Sequence, residues 1–389
     1  MNRELFLFVE PYVYTSMDLD KALLYNTLTG KYILLNSMEQ EIREFLNDII
    51  TSPTRSVKLC GHPNGNIKEI ISQLRVMHMC DIIEGAMPFV EPMNCKVLFN
   101  KSQVFGNYKR IISWVNQLNI VSANGQFTDI DVFVNRDKYN SNEIFELEQI
   151  KEFFSKIYFE KLKEIDYIGM YNSIDDIGWV FEIYQDISFS FHVNYRDVII
   201  KDLVEICQLC KDFRIVLCFD QTVELKQLKN LVKHCKDLGI EVKGCFLAKN
   251  HDDLVFLKST TFDFEIIVLP LFDNNYDFFI DNVCLSETDI LTQKLTQENI
   301  LTNMTVNSNF FGELILMPDN QIYTNYNSEP IGKPGNDWRI ILDNLSNSSW
   351  FLTREKLEPC KQCAFHYICP PPSDYELAIK KPNLCTVKP

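Results

Sequence analysis

The chain has 389 residues, 46% hydrophobic and 23% charged, the composition of an ordinary globular protein with material for two or three domains. Its formal net charge is −15, from 53 acidic against 38 basic side chains. That balance excludes a general binder of the phosphate backbone, which needs accumulated Lys and Arg, so nucleic acid is not an expected partner.

The opening MNRELFLFVEPYVY sets Glu4 and Glu10 around a short apolar run, unlike a secretory signal. No later stretch is apolar for the roughly 18 residues a membrane span requires, so a cytoplasmic location without a membrane partner is expected. Residues 1–90 read as a small unit of their own. Strands are expected over 5–14 and 21–25, then a turn at Asn26-Thr27-Leu28-Thr29-Gly30, then a third strand over 32–35. Ser37 with Gln40 three residues on reads as a capping box, and Ile42, Phe45, Leu46, Ile49 and Ile50 recur at helical spacing, which predicts a helix over 38–50. Asn66 is the expected cap of a second helix with Ile67, Ile70, Ile71 and Leu74 on its apolar face, and the chain turns extended over 80–84. Three strands and two helices make a winged-helix-like α+β module.

From 91 to 300, apolar runs alternate with helical patterns. Strands are expected over 96–99, 129–134, 167–170, 188–193, 214–219, 241–246 and 264–269. The stretch 223–238 is helical, with Leu225, Leu228, Leu231, Val232 and Cys235 on one side. Repeated strand then helix implies an α/β fold with a parallel sheet, here a partial (β/α) barrel.

Thirteen cysteines in a cytosolic chain are expected to be thiols or metal ligands. Four fall in the run CKQCAFHYICPPPSDYELAIKKPNLC as Cys360, Cys363, Cys369 and Cys385. Two residues between Cys360 and Cys363 let one tight turn aim both sulfurs at an ion. Pro370, Pro371 and Pro372 fix φ and stop a helix from carrying the chain away before Cys385. Four thiolates close a tetrahedral shell, which stabilises folding and leaves no open position to activate water. Zinc and a [4Fe-4S] cluster both accept such a set, and spacing does not separate them. The competing readings are unligated buried thiols or a single disulfide.

Residues 1–90 resemble the leader-recognition domain of ribosomal peptide biosynthesis, which is related to the peptide chaperone of pyrroloquinoline quinone assembly. That resemblance implies a leader peptide adding to a sheet edge beside a helix, here Tyr32, Ile33, Leu34 and Leu35 with Ile67, Ile70 and Ile71. A partial barrel followed by a cysteine-rich tail resembles radical SAM peptide maturases with a SPASM-type C-terminal domain. Such enzymes need CxxxCxxC after the first barrel strand, three thiolates holding a cluster that binds S-adenosylmethionine. Here CKVLFN is followed by KSQVFGN, residues 101–107, without a cysteine. Cys95 stands alone, and Cys207, Cys210 and Cys218 are three and eight residues apart, so no S-adenosylmethionine cluster is expected.

Residues 310–325, FFGELILMPDNQIYTN, resemble the SPASM hairpin: strand 314–317, turn 318–320, strand 321–323, with Asn309 and Asn325 about where its cysteines occur. Cys385 lies farther along than a SPASM ligand usually does. The tail pattern CxxCxFxYxCPPPSDYE carries a more specific likeness, to the pseudo-radical-SAM proteins of Bacteroidales double-glycine precursor systems. The resemblance implies a non-catalytic scaffold in three parts: leader recognition over 1–90, a degenerate barrel over 91–300, and a SPASM-like tail over 301–389. Its implied partners are a precursor peptide leader and an active radical SAM maturase.

Two other classes compete. An enzyme would use His192, Arg196 and Asp197 near the end of FSFHVN, or Asp220 after RIVLCF, because barrels place chemistry at the C-terminal ends of strands. His192 sits among Phe189 and Phe191, however, as a hydrogen-bonded core histidine does. The other class is a metal-stabilised interaction module unrelated to peptide modification. Gly332-Lys333-Pro334-Gly335 lacks the spacing of a phosphate loop. Cys207 and Cys210 lie in an apolar helical pattern, as small hydrophobes or as a redox pair.

Overall fold

The computed structural model describes residues 4–59, 64–85, 113–121, 147–155, 159–169, 175–184, 186–210, 212–381 and 383–387, and in it the opening apolar run is two strands, not one. Pro11 has no N–H for a ladder, and the chain turns there, with Val13 N donating to Glu10 O at 3.0 Å. So β1 (Leu5–Val9) and β2 (Val13–Met17) enter different sheets. β1 lies antiparallel between β5 (Ser56–Leu59) and β6 (Cys80–Glu84). β2, β3 (Lys21–Asn26) and β4 (Tyr32–Asn36) form a second antiparallel sheet with β3 in the middle.

Both sheets share one core with helices α1 (Gln40–Thr51) and α2 (Gly65–Val76), through Leu7, Val13, Leu24, Leu46, Ile49 and Leu74 among others. The three expected strands are therefore six. The expected caps move as well. Ser37 takes a left-handed φ of 53° and donates its N–H to Asp20 O, so α1 starts later, after Glu39, with no side-chain cap. Asn64, not Asn66, caps α2, accepting from Asn66 N at 2.8 Å and Ile67 N at 3.1 Å.

The rest of the chain is built on a mixed α/β sheet of eight mostly parallel strands. β7 (Gln117–Val121), β8 (Glu164–Ile168), β9 (Ser188–Asn194), β10 (Phe213–Phe219), β11 (Glu241–Ala248) and β12 (Glu265–Pro270) lie side by side in chain order, all parallel. Between them run α3 (Leu147–Ser155), α4 (Asp175–Ile183), α5 (Ile200–Leu209), α6 (Leu225–Asp237) and α7 (His251–Ser259), a repeated strand-then-helix unit. The expected strands 96–99 and 129–134 lie outside the described residues.

Along these strands Leu118, Ile165, Phe191, Leu217 and Phe246 face the helices and form the main core. The opposite face is polar at one end, with Asn119, Asp166 and His192, and apolar at the other, with Val216, Cys218, Cys245 and Leu247.

The tail continues the sheet. β13 (Glu313–Leu316) pairs parallel with β7, and β14 (Ile322–Tyr323) antiparallel with β13, so the expected hairpin exists and extends the sheet beyond β7. Gly312 makes the junction possible. Its φ is +94°, its carbonyl accepts from Asn116 N at 2.9 Å, and a Cβ there would meet Trp114 O at 2.7 Å. After β12 come α8 (Tyr276–Asn282), α9 (Glu287–Thr292) and α10 (Gln297–Thr305); after the hairpin come α11 (Trp338–Leu345) and α12 (Asp374–Ile379).

The second sheet of the N-terminal unit rests on this tail. Tyr14, Leu23 and Tyr25 share a core with Ile290, Ile300, Phe365 and Ile368, and Asp18 Oδ2 accepts from Ala364 N at 3.0 Å. Among the described residues no helix is long and apolar enough to cross a membrane.

Candidate functional site

The cysteine run folds as its spacing requires. Cys360 and Cys363 share one tight turn, closed by Cys363 N donating to Cys360 O at 3.0 Å. Cys369 ends the next turn on Phe365 O at 2.8 Å. Cys385 returns on a short bridge to Leu285, with Leu285 N on Leu384 O and Thr386 N on Leu285 O. Cys385 lies close enough to raise the Cys360, Cys363 and Cys369 thiols, and Cys360 close enough to raise Cys363 and Cys369, so the four stand in one neighbourhood.

Burial pushes the Cys369 thiol up to about 12, the Cys363 thiol up to about 11, and the Cys360 thiol above its usual range. Against this, the Arg354 guanidinium donates to Cys360 Sγ at 3.6 Å and lowers Cys360 and Cys369. Cys360 and Cys369 are buried and Cys363 and Cys385 half-buried; thiols of this kind are donors suited to a thiophilic metal such as zinc or to an iron-sulfur cluster. Among the described residues, however, no three His, Cys, Asp or Glu side chains stand in an arrangement that could hold a metal ion. The four sulfurs therefore have to draw together to close a shell. His366 is otherwise occupied, its Nδ1 lying 2.6 Å from the Cys363 carbonyl.

Arg354 organises this tail. Nearly fully buried, it pairs with both oxygens of buried Glu376, at 2.5 and 3.1 Å, and donates from Nε to Pro370 O at 2.7 Å. Glu376 in turn accepts from Ser373 N at 2.8 Å and Leu384 N at 3.2 Å, which ties the stretch after Cys369 to the stretch before Cys385. The two asparagines at the hairpin positions have taken up structural hydrogen bonds. Asn309 Nδ2 donates to Pro371 O and Pro372 O at 3.3 and 3.2 Å, alongside Asn307 Nδ2 to Pro372 O at 2.9 Å. Asn325 Nδ2 donates to Asp374.

That last contact brings the tail onto the polar face of the sheet, a feature the sequence reading missed. Asn119 Nδ2 donates to Glu313 and, at 2.9 Å, to Tyr326 Oη; Gln117 Nε2 donates to Asp166 Oδ2 at 2.8 Å. Burial, with Asp374 and Asp166 nearby, holds the Glu313 carboxyl well above the usual carboxylate range. Burial pushes Asp374 up to about 6, against the hydrogen bond from Asn325. The neighbouring Tyr375 packs on the apolar end of the same face and donates its hydroxyl to Pro270 O at 2.7 Å.

At the expected peptide site, Tyr32 is 39% exposed, Leu34 and Leu35 are half-buried, and Ile33, Ile67, Ile70 and Ile71 are buried in the N-terminal core behind β4. β4 is the last strand of its sheet, and no described strand pairs with its outer side. Asn26 N on Lys31 O and Ser37 N on Asp20 O mark the bonded pairs of the ladder. The alternation of an antiparallel pair then turns the backbone groups of Tyr32, Leu34 and Asn36 outward.

Among the residues of the enzymatic alternative, Arg196 and Asp220 meet at Thr222 with Asp197 beside them, and His192 lies on the sheet's polar face. His192 Nε2 faces Asp166 Oδ1 at 3.7 Å inside the sheet's polar face. Asp220 caps its own turn, accepting from Thr222 N at 2.8 Å, and Arg196 bonds Tyr195 Oη at 3.0 Å and Thr222 O at 3.1 Å. Asp197, whose carboxyl burial raises, closes a turn on Asn194 O through its backbone N–H. Cys207 is partly buried and Cys210 buried, and burial raises both thiols, as expected of packed and unreactive groups.

Residues 101–107, where a radical SAM triplet would fall, lie outside the described residues. The donor count does not depend on which strand is first: between Cys95 and Cys207 the sequence has no cysteine at all, so none follows β7 or β8. The residues present do not fit an S-adenosylmethionine cluster.

No protein-family model matches the chain, and no curated protein matches it. Among solved structures, it is similar to Streptococcus suis SuiB bound to the precursor peptide SuiA, with 12% identity over 93% of this chain and 94% of that one and a TM-score of 0.45. It is similar at the same identity and TM-score to histidine-tagged anSMEcpe with bound AdoMet, over 68% of this chain and 92% of that one.

Proposed function

We propose that this chain is a non-catalytic accessory protein of ribosomal peptide maturation, which binds a precursor leader and serves a separate radical SAM maturase. The observation that carries the reading is the seat of Asp374 and Tyr375 on the face of the parallel sheet, in a chain without a cysteine between Cys95 and Cys207. A face onto which the protein's own tail is fastened suits a scaffold better than a reaction chamber. The open outer side of β4 supports the leader part: Tyr32, Leu34 and Asn36 offer backbone groups for an added strand, with Ile33, Ile67, Ile70 and Ile71 as the rigid floor. Cys360, Cys363, Cys369 and Cys385 would hold one metal centre, zinc or [4Fe-4S], and when bound it would supply folding free energy to the tail.

The test is co-purification with a candidate precursor peptide and a candidate radical SAM maturase, together with calorimetric titration of the leader. The leader is expected to bind, and Leu34→Pro, which removes an outward N–H, to abolish binding while the protein stays folded. Recovery of neither partner would overturn the reading.

A further inference from the structure

The sheet that carries the open β4 edge stands on the cysteine run itself. Tyr14 of β2, Leu23 and Tyr25 of β3 and Leu34 of β4 share one apolar cluster with three of the four tail thiols, Cys363, Cys369 and Cys385. We infer that metal binding at the tail thiols and peptide binding at the β4 edge are coupled through this contact, each raising the affinity for the other. The inference rests on the leader and metal readings above and adds how the one site regulates the other.

Directed contacts fasten the β2–β3 hairpin to the stretch between Cys363 and Cys369. Asp18 Oδ2 accepts from Ala364 N at 3.0 Å, while its Oδ1 holds the hairpin turn through Asp20 N at 2.8 Å and Lys21 N at 2.7 Å. Lys21 Nζ lies 5.4 Å from the centre of the Phe365 ring and 2.8 Å from Glu287 Oε2. The Tyr14 and Tyr367 rings meet edge-on with centroids 6.3 Å apart. Ala364, Phe365 and Tyr367 all lie between two thiols that must approach each other to close a shell, and the Phe365 backbone bonds the Cys363 thiol. A metal that fixes the thiols therefore fixes the residues the hairpin holds.

The hairpin passes this on to β4, because Leu23 stands opposite Leu34 in the ladder and both side chains rest on the same cluster. Close-packed interiors transmit displacement rather than absorb it. A floor already ordered by metal lowers the ordering cost of adding a peptide strand, and linkage then requires the peptide to tighten the metal by the same factor. On the other face of the sheet, Ile33 packs on the core of α1 and α2, which contains none of the four thiols. α2 is thus the internal control.

Zinc ion is the metal probe, and hydrogen–deuterium exchange of the full chain, stripped by a chelator and then reloaded, is the first readout. Loading is expected to slow exchange over residues 21–36 by about threefold or more and to leave α2 and β9 to β11 unchanged. The second readout is calorimetric titration of the candidate leader into both forms, with the zinc-loaded form expected to bind about tenfold tighter. Asp18→Asn with Tyr14→Leu loosens the hold on Ala364 and removes the ring contact without touching a thiol or β4. Zinc should still bind this variant, and the ratio of leader affinities should fall to within about twofold of one. Unchanged exchange over 21–36, equal slowing in α2 and β9 to β11, an undiminished ratio in the variant, or equal leader affinity of the two forms would each overturn the inference. Equal affinity leaves the leader reading standing, whereas a leader that binds neither form, or a chain that takes up no zinc, overturns the corresponding reading and the inference with it.

Discussion

The Tyr375 hydroxyl donates to the Pro270 carbonyl at 2.7 Å and so fastens the tail helix α12 to β12, the edge strand of the eight-stranded sheet. The ring packs edge-on against Phe279, with centroids 5.4 Å apart. Tyr375→Phe keeps the ring and leaves the carbonyl without this donor, an expected loss of about 1 kcal/mol. Tyr375→Ala also removes the packing, an expected loss of about 3 to 5 kcal/mol. Urea denaturation of the three proteins measures both steps, and equal losses would mean that the ring contributes nothing to the seat.

The Arg354 and Glu376 pair is buried on both sides, with side chains 7% and 3% exposed. Glu376→Gln is predicted to cost about 3 to 5 kcal/mol, because it strands a guanidinium charge away from water. Arg354→Met with Glu376→Leu removes both charges and is predicted to cost less than the single change. Denaturation midpoints of the single and double variants decide this.

Asp374 gives the tail a pH dependence. Its folded value of about 6 lies above the ordinary 3.8, so between these values the folded chain binds the extra proton. Its contribution is complete below about pH 4 and is lost as pH rises through about 6. The stability difference between the protein and Asp374→Asn should shift by on the order of 2 kcal/mol between pH 4 and pH 7.5, with the native protein losing ground as pH rises. Glu313 is present in both proteins, so a flat difference across that range would contradict the assignment to Asp374.

The thiol neighbourhood predicts metal. Anaerobically purified protein should carry either zinc without colour or iron with sulfide and a brown visible band. Cys360→Ser with Cys369→Ser should remove the metal and lower the melting temperature. Elemental analysis with an absorption spectrum checks the first statement and calorimetry the second. Metal-free protein of unchanged stability would support the unligated-thiol reading.

What the sequence revealed follows from how local each feature is. The strands near 188–193, 214–219, 241–246 and 264–269, and the helix with Leu228, Leu231, Val232 and Cys235 inward, announce themselves by their own apolar periodicity. β7 escaped because Gln117 and Asn119 face a polar network, so its alternation reads as loop. The run 5–14 has strand propensity throughout, and only Pro11 shows that it breaks. The partners of Asn119, Glu313 and Tyr326 are about 200 residues apart in sequence, and no local pattern encodes such a meeting. The CxxC turn was legible, since its geometry is set within four residues; the arrival of Cys385 depends on the distant Leu285.

The most direct measurement is an anaerobic incubation of the reconstituted protein, alone, with S-adenosylmethionine, a strong reductant and the precursor peptide, followed by chromatography for 5′-deoxyadenosine. The account predicts none above the level of a protein-free control, and none until the partner maturase is added. Release of 5′-deoxyadenosine by this chain alone, in amounts that exceed the protein present, would contradict it.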